Sequence, residues 1–456
     1  MNIDCLKKYK KIHMIGIGGV SMSGIAEILL HFGFEITGSD LSQSETTLNL
    51  QKKGIKITIG HNLEDITGSD LVVYTAAISQ DDPEILKAKE LNIPLMERAD
   101  FLGEITKCFK ETICISGTHG KTTTTSMVSL CFLEALKDPT IQVGANLSAI
   151  NGNDKIGNSE YFILEACEYV ESFLKFSPHA EIVLNIDNDH LDYFKNIENI
   201  KQSFIKYVKL LPEDGLLVTN LDDEHCVELL SHTKAKCLNY SLKDKTANFF
   251  AENITFNENG FATFDVMHNG LYFETISLSV PGLHNVSNAL SCIALCTEYG
   301  IEKNYIKSAL KKFTGADRRF EYKGKLNGAN IYDDYAHHPT EINATINAMK
   351  NKKYNKSWVV FQPHTYSRTL NHLDEFAEAL INFDNIIIID IYAAREKDEG
   401  IVSSTMLADA ITKVGTDAKN LHTLDNIAKH IHEIIKPNDI VLTIGAGTIT
   451  KLADLL

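Results

Sequence analysis

The segment that most restricts the fold is Ser116-Gly117-Thr118-His119-Gly120-Lys121-Thr122-Thr123. It joins an apolar run, Thr112-Ile113-Cys114-Ile115, to a stretch from Thr124 to Leu136 patterned as a helix. A strand, a glycine-containing loop and a helix amino terminus in that order make a nest of backbone N–H groups facing an anion. Lys121 is placed to neutralise the β and γ phosphates of a nucleotide, and the Thr122 hydroxyl to sit on Mg²⁺. The full spacing Gly-x4-Gly-Lys-[Ser/Thr] is not met, because Ile115 stands where its first glycine belongs, which leaves the shorter form Gly-Thr-x-Gly-Lys-Thr. A tight turn with a helix cap is the plainer alternative, but it does not require glycine, lysine and threonine in this order.

A chain of 456 residues exceeds one ordinary core and fits two to three domains. From Lys11 to about Phe101, β-rich runs (Ile12 to Ile15, Glu35 to Thr37, Leu71 to Tyr74) alternate with helical patterns, which predicts a parallel sheet with crossover helices. A second αβ series starts at Thr112 and runs to about Phe313. Near its end, strand-like stretches between Phe249 and Leu278 are divided by Asn257-Glu258-Asn259-Gly260 and His268-Asn269-Gly270, a hairpin signal that predicts a small antiparallel extension. A third series has strand candidates at Ala329 to Tyr332, Trp358 to Phe361, Ile386 to Ile389 and Ile440 to Thr443. The fold class expected is α/β in three domains with mainly parallel sheets, at 1–106, 107–314 and 315–456: Rossmann-like, P-loop and Rossmann-like.

Lys and Arg total 44 against 60 Asp and Glu, a net charge of -16, with no basic run to track a nucleic acid backbone. Nucleic acid is excluded as an expected partner. The nine cysteines are scattered without a Cys-x-x-Cys pair, and usage of this kind suits a reducing cytosol. The first residues, Met1 to Lys8, lack the apolar core of a signal peptide, and no segment has the roughly 20 apolar residues of a membrane span. The expectation is an unprocessed cytoplasmic protein with no membrane insertion.

Acids at other strand ends extend the phosphate site. Glu165 follows Tyr161-Phe162-Ile163-Leu164 and is placed as a Mg²⁺ ligand, although a strand-end glutamate is also a common solvated boundary residue. The strand candidate Ile182-Val183-Leu184-Asn185-Ile186 leads into Asp187-Asn188-Asp189-His190-Leu191-Asp192, oxygen ligands with one imidazole. A hydrophilic loop with a helix cap explains these acids equally well. Near the amino terminus, Gly16-Ile17-Gly18-Gly19-Val20-Ser21 follows the first strand, and Asp40 ends the second. A pyrophosphate can rest on such a helix start while the acid accepts a ribose hydroxyl; NAD and a UDP-sugar satisfy this equally.

Taken in order, these motifs resemble the Mur ligases of peptidoglycan precursor synthesis. The matching stretches are His13 to Ser23, Gly117 to Thr122, Asp189 to Asp192, His284-Asn285-Val286-Ser287-Asn288-Ala289, Arg318-Arg319-Phe320, Asp333-Asp334-Tyr335-Ala336-His337-His338-Pro339 and Phe361 to Arg368. The resemblance covers essentially the whole chain. It implies ATP-dependent ligation of L-alanine to the lactyl carboxylate of UDP-N-acetylmuramate through an acyl phosphate, by a monomer or weak homodimer. It makes Gly16, Gly18, Gly19, Val20, Ser21 and Asp40 contacts of the UDP-sugar. Gly117, Thr118, His119, Gly120, Lys121, Thr122 and Thr123 would hold ATP phosphates, Thr122, Glu165 and His190 the Mg²⁺, and His284, Asn285 and Asn288 the adenine. Asn285 and Asn288 share a helix face, which suits an amide-like base edge, while Asn285 as a helix cap is the alternative.

From the third domain, which would bind the amino acid and close the site, the resemblance implies that Arg318 or Arg319 reaches the nucleotide phosphates. Asp333 or Asp334 would contact ribose or form a hinge. Tyr335, His337, His338, His364 and Arg368 would hold the muramyl lactate and the incoming amino acid. Lys121, Glu165, His190, Arg319 and His337 would be catalytic. Two departures stand out: Cys167 in Glu165-Ala166-Cys167-Glu168-Tyr169, where many relatives have aspartate, and Thr365, where many have arginine.

Overall fold

The computed structural model describes residues 6–350, 352–394 and 396–456. Cys5 and most of the amino terminus expected to be unprocessed lie outside the described residues. The fold divides into two compact units: the first holds residues up to Ile186, Glu198–Tyr240 and Ser291–Ile306, and the second holds Asp187–Ile197, Ser241–Leu290 and Lys307–Leu456.

The first unit opens with a parallel sheet of strands β1 (Lys11–Ile15), β2 (Glu35–Asp40), β3 (Lys56–Ile59), β4 (Leu71–Tyr74) and β5 (Leu95–Glu97), in the order β3-β2-β1-β4-β5. Two helices begin where the sequence supplies side-chain caps: Ser44 and Thr47 form a reciprocal capping box, and Asp82 caps a helix whose first residue is Pro83. The unit continues with β6 (Glu111–Ser116), β7 (Thr140–Leu147), β8 (Gly152–Lys155), β9 (Tyr161–Glu165), β10 (Ala180–Val183), β11 (Leu216–Asn220) and β12 (Lys236–Ser241). Their order is β12-β11-β10-β6-β9-β7-β8, parallel except for β8 against β7. Every residue of β6 is buried, as a central parallel strand requires.

In the second unit, β13 (Phe249–Phe256), β14 (Phe261–His268) and β15 (Leu271–Pro281) form the expected antiparallel extension. Asn269 and Gly270 turn the second hairpin with φ of 50° and 78°, the left-handed pair such a turn needs. A further sheet contains β16 (Glu321–Leu326), β17 (Ala329–Asp334), β18 (Ser357–Phe361), β19 (Asn385–Ile388), β20 (Ala418–Asn420) and β21 (Ile440–Ile444), in the order β16-β17-β21-β18-β19-β20. Only β16 runs antiparallel. Apolar layers cover both faces, with Phe361, Phe376, Ile388 and Leu442 on one and Val360, Ile387, Ile427 and Val441 on the other.

Two sequence expectations shift. The helix after the phosphate loop starts at Lys121 rather than Thr124, because Gly120 takes φ 88° and serves as its cap. The strand expected to reach Ile186 ends at Val183, and the next residues leave the sheet to brace the loop beside them. Among the described residues no helix is long and apolar enough to cross a membrane.

Gly103, in the helix Arg98–Thr106, lies against the backbone of Lys175; a Cβ there would be 2.2 Å from the Lys175 carbonyl oxygen. Gly103→Ala should therefore destabilise the chain by about 1–3 kcal/mol, the usual cost of overpacking. The urea unfolding midpoint reads this; an unchanged midpoint refutes the close approach.

Candidate active site

The loop after β6 is built around Asn185. Its side-chain carbonyl accepts from His119 N at 2.8 Å, its amide donates to His119 O at 3.0 Å, and its backbone carbonyl accepts from Thr118 N at 3.0 Å. Gly117 has φ 128°, and a Cβ on it would stand 3.0 Å from Leu184 and 3.1 Å from Asn185 N, so this position takes glycine for two reasons. Lys121 Nζ donates to Gly117 O at 2.6 Å, Thr118 O at 3.0 Å and Glu168 Oε2 at 3.0 Å. Burial works against the ammonium charge, yet the adjacent Glu168 carboxylate more than offsets it and raises the lysine pKa.

Glu165 sits at the end of β9, opposite Ile115 of β6. Its Oε2 accepts from the Thr122 hydroxyl at 3.2 Å and its Oε1 from Gly144 N at 2.5 Å. Thr122 and Glu165 thus present hard oxygen donors side by side, the chemistry a Mg²⁺ ion takes. In the amino-terminal sheet, Asp40 accepts from Gly18 N at 2.9 Å, and a Cβ on Gly18 would stand 2.8 Å from the same carboxylate oxygen. The helix Val20–His31 starts without a side-chain cap, while Arg98 donates to the Ser21 hydroxyl at 3.1 Å.

The second unit gathers the histidines. Arg368 donates to Asp189 Oδ1 from Nη2 at 2.7 Å and from Nε at 3.2 Å, and its Nη1 lies 3.1 Å from His364 Nδ1. Burial alone would raise the Asp189 pKa, but His190, Arg368 and His337 hold the carboxyl well below the usual range. His337 Nδ1 lies 3.0 Å from Tyr335 O, and because a carbonyl only accepts, that nitrogen carries the proton. By the same reasoning His338 donates from Nε2 to Asn188 O at 2.9 Å, while its Nδ1 accepts from Thr340 N. The adjacent imidazoles therefore serve different partners. His190 adopts φ 55° and its N–H donates to Asp189 Oδ1 at 2.7 Å.

Arg318 and Arg319 differ in surroundings. Arg318 donates to Asp333 Oδ2 at 3.0 Å and Gly445 O at 2.5 Å, and Asp333 also accepts from Thr443 and Thr450, so this pair ties the fold together. Both guanidiniums lie over the Tyr335 ring, Arg318 at 4.8 Å and Arg319 at 5.2 Å. Asn285 Nδ2 donates to Pro281 O at 2.7 Å and Asn288 Nδ2 to Asn285 Oδ1 at 3.1 Å, on one face of the helix Leu283–Glu298, whose first turn also holds the exposed His284.

Family profiles match three successive stretches. One described as Mur ligase family, catalytic domain, covers residues 11–110; one described as Mur ligase middle domain covers 115–296; one described as Mur ligase, glutamate ligase domain covers 318–447. The chain belongs to the Mur ligase family. This Mur ligase is 50% identical over 448 residues to UDP-N-acetylmuramate–L-alanine ligase of Acetivibrio thermocellus, covering 98% of this chain and 96% of that one. It is 51% identical over 455 residues to the ligase of the same name from Clostridium beijerinckii, covering 100% and 99%. Among solved structures, UDP-N-acetylmuramate–alanine ligase of Thermotoga maritima matches with a TM-score of 0.82 at 30% identity, covering 97% of both chains. A murein peptide ligase of Psychrobacter arcticus matches with a TM-score of 0.70 at 25% identity, also over 97% of both.

Within this Mur ligase the first unit brings together Gly117 to Thr122 with Glu165, and the second brings together Asp189, His190, His337, His364 and Arg368. Two positioning residues escape a reading of the sequence, Asn185 and Glu168, which act on His119 and Lys121; Asp189, a candidate oxygen ligand by sequence, instead pairs with Arg368. The signal for Asn185 is a polar residue inside an apolar strand candidate. Thr365 adopts φ 66° and its hydroxyl accepts from Arg368 N, capping the helix Tyr366–Asn371.

Both partners of the Asp189–Arg368 pair are largely buried, with side-chain exposures of 8% and 11%. Asp189→Ala or Arg368→Ala should each cost about 3–5 kcal/mol, and the double variant less than their sum. A double-mutant cycle by denaturant unfolding measures this; additive losses contradict the pairing.

Asp334 is buried, and burial raises its pKa from 3.8 to about 6 against the hydrogen bond from Thr345. The folded carboxyl holds its proton more tightly than the unfolded one, so its contribution to stability is full below about pH 4 and is lost as the pH rises through about 6. Asp334→Asn should flatten the stability profile across that window by up to about 3 kcal/mol. Melting temperatures of both proteins from pH 4 to 7 test it; parallel profiles would show that Asp334 does not titrate there.

Proposed function

We propose that this Mur ligase joins L-alanine to the lactyl carboxylate of UDP-N-acetylmuramate, with ATP converted to ADP and phosphate. The observation that carries the reading is likeness along the whole chain, at about half identity, to proteins named for that reaction. It is supported by a phosphate loop in which Lys121 and Thr122 adjoin Glu165. We assign the domains as 1–106 for the UDP-sugar, 107–314 for ATP and 315–456 for the amino acid.

The lactyl carboxylate attacks the γ-phosphoryl group and ADP leaves; the amine of L-alanine then displaces phosphate from the acyl phosphate to form the amide. Lys121 and the loop amides from Gly117 to Thr123 stabilise the transferring charge, and Arg319 adds a second cation. We assign Thr122, Glu165 and His190 as the residues that would hold a Mg²⁺ ion, whose charge would offset that of the phosphates. His284, Asn285 and Asn288 contact the adenine; Arg318, Asp333 and Asp334 support the nucleotide side of the site. Gly16, Gly18, Gly19, Val20, Ser21 and Asp40 hold the UDP-sugar, with the uncapped helix start of Val20–His31 facing its pyrophosphate. Tyr335, His337, His338, His364 and Arg368 orient the lactate and L-alanine. Free thiols among the described cysteines and a carboxylate activation that consumes ATP suit a cytoplasmic enzyme, which we take to work as a monomer or weak homodimer.

Phosphate release with UDP-N-acetylmuramate, ATP and Mg²⁺ should depend on L-alanine and be weaker with glycine, L-serine or a peptide. Release stimulated by the peptide rather than L-alanine would replace this reading with a peptide ligase. Lys121→Ala should lower turnover on the order of a hundredfold or more while keeping a cooperative melt. A folded, active variant would remove Lys121 from the site.

A further inference from the structure

Three cysteines meet in the interior of the first unit, away from the phosphate loop's own ligands. Cys131 lies in the last turn of the helix Lys121–Glu134, and Cys292 and Cys296 lie one turn apart on the helix Leu283–Glu298. The sulfurs of Cys131 and Cys292 are 3.7 Å apart, those of Cys292 and Cys296 are 3.9 Å apart, and all three lie within 4.8 Å of one another. Each side chain is fully buried. Among the described residues no other cluster of ligating side chains consists of cysteines alone.

The spacing suits a single central atom. Three thiolates about 2.3 Å from a common centre stand about 4.0 Å apart in a trigonal arrangement and about 3.8 Å apart in a tetrahedral one. The sulfurs come from two helices, so the arrangement is held by packed, rigid elements. An i, i+4 pair supplies two thiols from one face, and Cys131 closes the triangle.

Charge decides which centre fits. Net charge in a buried apolar setting is costly. Glu134 opposes negative charge on Cys131, and the carboxyl end of a helix does the same. Three thiolates around a monovalent ion leave two surplus negative charges, around a divalent ion one, and around a trivalent centre none. We propose that Cys131, Cys292 and Cys296 form a three-thiolate site for a trivalent thiophilic centre, for which arsenite is the aqueous probe. The exchange balances without a redox step: As(OH)₃ and three thiols give As(SR)₃ and three waters, each thiol proton leaving on a hydroxyl oxygen. Hydrogen bonds from Cys292 and then Cys296 draw the Cys131 thiol below its usual range, whereas burial pushes the other two up.

The full chain, freed of thiol reductant and incubated anaerobically with arsenite, can be read by native mass spectrometry. The expected adduct is one arsenic less three hydrogens, with a higher melting temperature because the folded form presents the three thiols already assembled and binds more tightly than the unfolded chain. An adduct that keeps a hydroxyl on arsenic, having lost two hydrogens, or no adduct after prolonged incubation, overturns the proposal. Cys131→Ser, Cys292→Ser and Cys296→Ser should each lose the three-hydrogen adduct; its survival in any one overturns it too. Alanine variants at the same positions repeat the test if a buried serine hydroxyl unfolds the core, and cooperative melts establish that the variants compared are folded.

Discussion

The hydrogen bonds between Asn185 and the backbone of Thr118 and His119 are the contacts on which the phosphate loop depends. A loop of backbone donors is useful for anion binding only if its amides keep their direction when no anion compensates them. Asn185 supplies that direction from the end of β10, the strand beside β6. This is also why Gly117 has no room for a side chain: a Cβ there would stand 3.0 Å from Leu184 in the bracing segment. The loop's form therefore belongs to two neighbouring strand ends, of which the motif itself is one.

Charge in the second unit is managed by pairing. Asp189 holds Arg368, and Arg318 is tied to Asp333, so each of these two guanidiniums has a carboxylate partner in the fold. Such pairs contribute orientation more than stability, since desolvation consumes much of the Coulomb attraction. The result is a set of imidazoles with defined tautomers: His337 protonated at Nδ1 by its contact with Tyr335, His338 at Nε2 by its contact with Asn188. Defined tautomers let each ring present one known face to a ligand.

Much of the fold was legible. The β-branched runs at Ile12, Leu71, Ile113, Phe162, Val359 and Val441 all lie in interior strands of their sheets, where burial on both faces enforces apolar composition. The strands Leu95–Glu97, Glu321–Leu326 and Ala418–Asn420, which lack such runs, are sheet edges, where partial exposure relaxes that demand. The hairpins of the antiparallel extension were legible from Asn-Gly turns, because only a few residues tolerate left-handed backbone.

The sequence by itself determined the order of αβ units, the anion loop and the kinds of groups available to a carboxylate–amine ligase. Local chemistry does this: glycine conformational freedom, helix-start amides and apolar periodicity are properties of neighbours in the chain. Tertiary structure alone decided that Arg318 is committed to Asp333, that Lys121 leans on Glu168, and that Cys131 meets Cys292 and Cys296. Those pairings depend on distances between residues far apart in sequence, and no local pattern encodes which of two adjacent arginines turns inward or which buried thiols converge.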